Sequence, residues 1–227
     1  MKDQYVARFM SLPPGLRVLA GYLLPLLILY RDLLFAGRTW LDFDFLVENR
    51  VRFEILQQGV ARNELPIWTD TYLGGFPVAF SEFGWFYPVS WFFLRILPMP
   101  LAYHAETATG LLLAALGAHW LGRGWGLGRP AAFVGGYLYG FAPFVFATSV
   151  FVNFADVMWV LPVSLLAIER LAQRCHRYLP VLAVAAAAAI LAGHPHIALI
   201  VAFAATLLFG FRLVWTYRDD GCWAAGR

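Results

Sequence analysis

The sequence predicts an all-α integral membrane protein, and its composition carries most of that prediction. Of the 227 residues, 61% are apolar and only 14% are charged, whereas a soluble domain has roughly 45–50% apolar and about 25% charged residues. The mean hydropathy is +0.65. A soluble core of this chain length cannot bury so large an apolar excess. The composition therefore excludes a soluble enzyme and a nucleic-acid-binding module.

Long apolar stretches give the second observation. A transmembrane helix needs about 20 mostly apolar residues. The sequence predicts about six such helices in one transmembrane domain covering residues 1–227, at about 16–34, 101–121, 130–151, 157–172, 178–191 and 197–215. Residues 37–100 form a long outer loop between the first two spans. In this loop the aromatic stretch Phe86–Leu97 is too short to cross and is expected at the membrane interface.

The basic residues give the third observation, which is the orientation. Lysines and arginines precede the first predicted span, lie between spans two and three and between spans four and five, and follow span six. The short loops around Asn153 and His194 contain none. Because cytoplasmic loops carry the excess of basic residues, we expect a multi-pass protein of the cell inner (plasma) membrane with its N-terminus in the cytoplasm.

The long outer loop begins with two acids, Asp42 and Asp44, directly after the first predicted span. Two carboxylates this close, partly desolvated by aromatic neighbours, can have different pKa values. One alternative is that one of them acts as a general base, and a second is that both hold a divalent cation with phosphate oxygens. A third is that they are ordinary solvated acids at a helix start, where Asp is favoured.

An amphipathic helix is predicted from Phe45 to Ala61. Phe53 and Leu56 recur at helical spacing, whereas Arg52 lies elsewhere around the axis, so we expect this helix on the membrane surface. The turn motifs that follow are Leu65-Pro66-Ile67-Trp68, Gly74-Gly75-Phe76-Pro77 and Phe86-Tyr87-Pro88. Their aromatic residues suit the bilayer interface, and a Gly-Gly turn beside aromatic rings can cradle a sugar or a phosphate.

Further polar residues are expected on the same outer side. Asn153 and Asp156 lie between predicted spans three and four, and His194 and His196 lie between spans five and six. We therefore expect one outer cavity, although the alternative for the histidines is a turn whose imidazoles bind nearby backbone. Two histidines at this spacing without a third ligand argue against zinc.

Several motifs occur along the chain in a recognisable order. The loop acids and the three turn motifs are followed by Gly128-Arg129-Pro130, Gly136-Tyr137-Leu138-Tyr139-Gly140-Phe141, Trp159-Val160-Leu161-Pro162, Glu169-Arg170-Leu171 and Ala192-Gly193-His194-Pro195-His196. This order resembles the YfhO-like family of bacterial multi-spanning proteins, which belongs with the GT-C membrane glycosyltransferases. The similarity extends from about Asp42 to His196.

The resemblance implies sugar transfer on the outer leaflet, from a polyprenyl-phosphate carrier in the membrane lipid to an acceptor of the cell envelope. The catalytic acid of such enzymes lies in the first outer loop, which corresponds here to Asp44, with Asp42 as the alternative. Asp44 is expected to act as the base in an inverting displacement. The candidates for binding the phosphate or the sugar are Arg52, Trp68, Gly75, Tyr87, Asn153, Asp156, His194 and His196.

The chain departs from the family pattern in one respect, and two alternative functions stay open. Members of this superfamily have more spans than six, so we expect this chain to be the N-terminal portion of such an enzyme. A transporter or flippase component is the first alternative, with Asp32, His104, Glu106 and His119 lining a path. A pairing of the last three residues with one another inside the bundle is a further alternative. Pro143 and Pro162 interrupt two predicted spans, which is compatible with transport. A non-catalytic envelope-assembly protein is the second alternative.

Overall fold

The computed structural model describes residues 13–39, 45–70, 73–78 and 84–219, except for the side chains of residues 216–219. Regular structure in these ranges is helical apart from one isolated antiparallel bridge, Thr69–Phe76. In chain order the helices are α1 (Pro14–Leu29), α2 (Arg31–Phe35), a π-helical turn (Phe45–Asn49), α3 (Arg50–Arg62), α4 (Pro88–Ile96), α5 (Met99–Gly124), α6 (Arg129–Gly140), α7 (Pro143–Thr148), α8 (Val152–Met158), α9 (Val160–Ala172), a 3-10 turn (His176–Tyr178), α10 (Leu179–Leu191) and α11 (Pro195–Asp219).

Three helical segments of the described chain are long and apolar enough to cross a membrane: Arg129–Thr148, Val152–Ala172 and Pro195–Trp215. They overlap the predicted third, fourth and sixth spans. The predicted first and fifth spans correspond to apolar helices that fall below this length. Helix α5 has 26 residues, but its His, Glu, Thr and Gly residues make it less apolar than those three segments. The chain is thus a helical protein of membrane type, and the number of spans stays a prediction.

Close contacts fix the directions of the helices that pack around α5. Successive residues of α5 contact successively later residues of α8 and α9, so these two helices run parallel to α5. Successive residues of α5 contact successively earlier residues of α6, so α6 is antiparallel to α5. The contacts that give these directions are Gly110–Ala155, Gly117–Pro162, Gly122–Ala132 and Ala115–Gly140. Small residues allow helix backbones to approach this closely.

The first helix runs in the same direction as α6. Tyr22 of α1 lies edge-on to His119 near the end of α5, with ring centroids 6.2 Å apart. Tyr30, which follows α1, shares a 2.9 Å hydrogen bond with Ser149, which follows α7. Helix α1 therefore begins where α5 ends, and it ends where α7 ends.

The last two helices complete an alternating bundle. The 3-10 turn reverses the chain after α9, and α10 ends beside the backbone of Gly84. Helix α11 then returns, and Arg212 in its second half forms a 2.7 Å ion pair with Glu169 of α9. We call the end where α5, α8 and α11 begin the polar end. The opposite end, where α1 and α6 begin and α5 and α9 end, is the basic end.

The start of the predicted fourth span is wrong. It was expected at Val157, with Asn153 and Asp156 in a loop, but α8 begins at Val152 and contains both polar residues. Asp156 is buried against α5. The polarity of Asp156 lowers the local hydropathy, so an assignment of spans by hydropathy leaves out the first turn of this helix.

Candidate functional site

A buried arginine lies at the centre of the polar end. Arg52 of α3 is 2% exposed, and its Nη2 donates to the carbonyl oxygen of Gly84 at 2.8 Å and to Ser90 Oγ at 3.1 Å. The prediction that Arg52 points away from the packed side of its helix is therefore wrong. Helix α3 packs against α4 and α5, and polar groups on that interface provide the acceptors that draw Arg52 inward.

Ser90 connects the arginine to a buried acid. Its hydroxyl in α4 accepts from Arg52 and donates to Glu106 Oε1 of α5 at 2.5 Å. Glu106 is completely buried. A hydrogen bond of this length is typical of a charged acceptor, so Ser90 links the cation to the carboxyl group across the interface of two helices.

A second carboxyl group, that of Asp156 in α8, contacts the first. Asp156 is 1% exposed, and its carboxyl group lies close enough to that of Glu106 for the two to interact. Two buried acids this close need a compensating charge or hydrogen-bond donors. The contact is possible because Gly110, one turn beyond Glu106, lets the Ala155 carbonyl oxygen lie 2.6 Å from the position that a Cβ on Gly110 would take.

We call Arg52, Ser90, Glu106 and Asp156 the Arg52 cluster. The guanidinium interacts with both acids and compensates their negative charge. Such compensation is needed because an unpaired buried charge is costly. Among the described residues, however, the Nε and Nη1 atoms of Arg52 have no hydrogen-bond partner. These two charged donors can each bind an oxygen of an anionic ligand such as a phosphate or a carboxylate.

Aromatic residues cover one side of the cluster. Tyr87, which precedes α4, is 3% exposed, and its hydroxyl accepts a 3.3 Å hydrogen bond from Trp159 Nε1. Burial, and to a smaller extent the nearby Asp156 carboxyl group, raises the pKa of Tyr87. Tyr87 therefore stays a neutral hydroxyl that can donate to a ligand oxygen.

The turn between α10 and α11 lies at the same end. Gly84, with φ of +63°, lies against the Ala192 carbonyl group, where a Cβ would collide. The His194 ring packs edge-on to Phe154 of α8 at a centroid distance of 5.4 Å, and the His196 ring is 6.1 Å from that of His194. The structure thus brings the predicted binding residues Arg52, Tyr87, Asn153, Asp156, His194 and His196 to the polar end.

Trp68 and Gly75 lie in a separate small hairpin. The backbones of Thr69 and Phe76 exchange two hydrogen bonds, of 3.0 and 2.8 Å. Gly75 packs directly under the Trp68 ring, whose Nε1 donates to Asp70 at 2.6 Å. Trp68 is 58% exposed, so this pair forms an exposed aromatic surface instead of a wall of the Arg52 cluster.

The predicted catalytic acids, Asp42 and Asp44, lie outside the described residues. The chain resumes at Phe45, whose buried ring packs edge-on to Tyr103 of α5 at 5.0 Å. The described chain that follows these two acids in the sequence therefore begins beside the first half of α5. No group of three or more His, Cys, Asp and Glu residues in the described part of the chain is arranged to hold a metal ion.

Sequence reasoning missed Ser90 and considered Glu106 only for the transport path or for pairing with His104 and His119. In the structure Glu106 accepts a hydrogen bond from Ser90, whereas His104 lies 3.1 Å from Thr39 and His119 lies beside Tyr22. A signal was present, since an acid within an apolar helix is a functional candidate by default. Its hydrogen-bond partner Ser90, however, belongs to a different helix, so the sequence alone does not reveal the pair.

Comparisons of the chain with protein-family models, with curated proteins and with solved structures gave no match.

Proposed function

We propose that this chain is a membrane glycosyltransferase, or a portion of one, that transfers a sugar from a polyprenyl-phosphate carrier to an acceptor outside the cytoplasm. The observation that carries the proposal is the buried guanidinium of Arg52, which has two donors without partners among the described residues. The proposal assumes six spans, a cytoplasmic N-terminus and an outward-facing polar end. The motif resemblance to YfhO-like proteins supports it.

In the proposed step the Asp44 carboxylate removes the proton from the acceptor hydroxyl. The acceptor oxygen forms a bond to the anomeric carbon, and the bond from that carbon to the carrier phosphate breaks with inversion. The electron pair leaves on the phosphate oxygen. General-base catalysis of this kind contributes roughly 10²–10⁴-fold to a rate.

Arg52 is proposed to hold the departing phosphate. Its Nη2 is fixed by Gly84 and Ser90, which holds the guanidinium in place and leaves Nε and Nη1 as two charged donors without a partner among the described residues. Charged donors that are already in place stabilise the charge that develops on a leaving group. Because Arg52 is 2% exposed, α3 or α4 must shift before a carrier phosphate can reach it.

The test compares two aspartates at the outer edge of the first helices. Asp44→Asn should reduce sugar transfer at least 100-fold in membranes supplied with polyprenyl-phosphate sugars. Asp32→Asn is the matched control, since the Asp32 side chain is 46% exposed and pairs only with its neighbours Arg31, at 3.5 Å, and Arg38, at 3.0 Å, among the described residues; it should leave transfer within about twofold. Transfer by Asp44→Asn at the wild-type rate would rule out Asp44 as the base.

A second function, proton-coupled transport, is favoured by one specific observation. Glu106 and Asp156 are two interacting carboxyl groups buried inside a helical bundle, and buried acids of this kind serve as proton relays in pumps and transporters. In the transport proposal, Glu106→Gln stops substrate uptake into vesicles and Asp44→Asn does not. In the transferase proposal, Asp44→Asn removes sugar transfer and no proton-dependent uptake is seen.

A further inference from the structure

A cavity of about 820 Å³ lies at the basic end, away from the Arg52 cluster. It opens where α1 and α6 begin and α5 ends. Along α5, Arg123 at the cavity and Glu106 in the cluster are separated by about 26 Å at the helical rise of 1.5 Å per residue. Since the hydrocarbon core of a bilayer is about 30 Å thick, a membrane-spanning α5 places the two sites in opposite leaflets.

The cavity combines a basic rim with apolar walls. Arg17, Arg123 and Arg129 lie at its rim, and the described residues that line it include no acid. The Nε atom of Arg17 is buried and has no partner among the described residues. Helix α6 begins at Arg129, so the positive end of its dipole adds to the potential at the rim.

The walls are formed by hydrocarbon and aromatic groups. Val18 of α1, Leu116 of α5 and Phe133 of α6 line the cavity below the arginines, and the Phe133 ring stacks on Tyr22 at 4.7 Å. A small anion would bind the arginines at the rim but would make no contact with the apolar walls. A molecule with an anionic head and an apolar chain would contact both.

We propose that this cavity binds an anionic phospholipid, with the phosphate group at the three arginines and an acyl chain along the apolar walls. The site does not depend on the chemistry proposed for the polar end. It is a bound-lipid site within the bundle, at the junction of three helices, and it is distinct from the general attraction of basic loops to acidic membranes.

The test uses the whole chain in mild detergent, with phosphatidylglycerol, phosphatidylcholine and inorganic phosphate as probes. Native mass spectrometry and thermal melting should show retained phosphatidylglycerol and a raised Tm, and neither effect with phosphatidylcholine or phosphate. The double variant Arg17→Gln and Arg129→Gln should weaken phosphatidylglycerol binding about 30-fold, at roughly fivefold for each basic residue.

Two further variants separate a built site from general charge attraction. Arg177→Gln is the matched control, because Arg177 is exposed at the same end, outside the cavity, with its guanidinium over Tyr178; binding should stay within twofold. Val18→Phe fills the apolar wall and should weaken binding while all three arginines remain. Equal binding of both lipids, an equal loss in Arg177→Gln, or full stabilisation by phosphate alone would overturn the proposal.

Discussion

Two segments of equal length, Val152–Ala172 and Pro195–Trp215, pack in opposite ways. In the first, 67% of the most apolar stretch is buried inside the bundle; in the second, which is the more apolar segment, only 6% is buried. A helix on the surface of a soluble protein shows its polar face to the solvent. In this chain the more apolar segment is the more exposed one, which is the arrangement that a hydrocarbon environment around α11 favours.

The comparison also shows where the polar groups of the bundle lie. The buried faces of α5 and α8 carry Glu106 and Asp156, whereas the outer face of α11 is lined by residues such as Phe203 and Leu207. In lipid, burial in protein is the favourable location for a polar side chain. The interior of this bundle is therefore specified by polar contacts and close glycine packing as well as by apolar area.

The largest expected effect comes from removing the buried cation. Arg52→Met leaves the negative charge of the Glu106–Asp156 pair uncompensated, which should lower the free energy of unfolding by about 3–5 kcal/mol. Arg50→Met is the control, since Arg50 lies two residues away on another side of α3, in an exposed ion pair with Glu54, and its replacement should cost at most about 1 kcal/mol. Unfolding by SDS titration measures both, and equal losses would contradict a buried charge balance.

Truncating a leucine should separate interior from exterior. Leu111 of α5 is completely buried, whereas Leu207 of α11 is 58% exposed. Leu111→Ala should lower the free energy of unfolding by about 2–5 kcal/mol because it leaves a cavity, and Leu207→Ala should change it by less than about 0.5 kcal/mol. The same SDS titration tests both; a comparable loss in Leu207→Ala would mean that the outer face of α11 is covered.

The sequence predicts much of the helical architecture but little of the Arg52 cluster. Hydropathy located the helices at 130–151, 178–191 and 197–215 to within a few residues, because apolar length is a property of each segment alone. It misplaced Asp156 and the direction of Arg52, because a polar side chain is buried only when a partner from another helix is present. Those partners, Ser90 and Glu106, come together through tertiary packing.

Adding bulk at a glycine should distinguish a close helix contact from an open one. Gly110→Leu should push α8 away from α5 and lower the free energy of unfolding by about 1–3 kcal/mol. Gly210→Leu on α11 has nothing within 4 Å of the added Cβ and should be neutral or stabilising by up to about 1 kcal/mol. Thermal melting of the purified variants measures the difference. An equal decrease of the Tm in both variants would contradict the prediction.

The smallest expected effect concerns the attachment of α11. Arg212 donates to Glu169 Oε2 through Nε at 2.9 Å, and Glu169 also accepts from Gln173 at 3.2 Å. Because Gln173 remains as a partner, Arg212→Gln should cost only about 1–2 kcal/mol, yet it should raise proteolysis of α11. Arg170→Gln, whose bond to Gln173 is exposed, serves as the control; unchanged proteolysis in Arg212→Gln would show that other contacts hold α11.

The most direct test of the account asks which faces of a membrane the two ends of the bundle occupy. Single cysteines at positions 44, 68 and 125 would be introduced after Cys175 and Cys222 are replaced by Ser. A membrane-impermeant thiol reagent added to intact cells should label Asp44→Cys and Trp68→Cys, whereas Trp125→Cys at the basic end should react only after permeabilisation. Labelling of positions 44 and 125 from the same side would contradict the account.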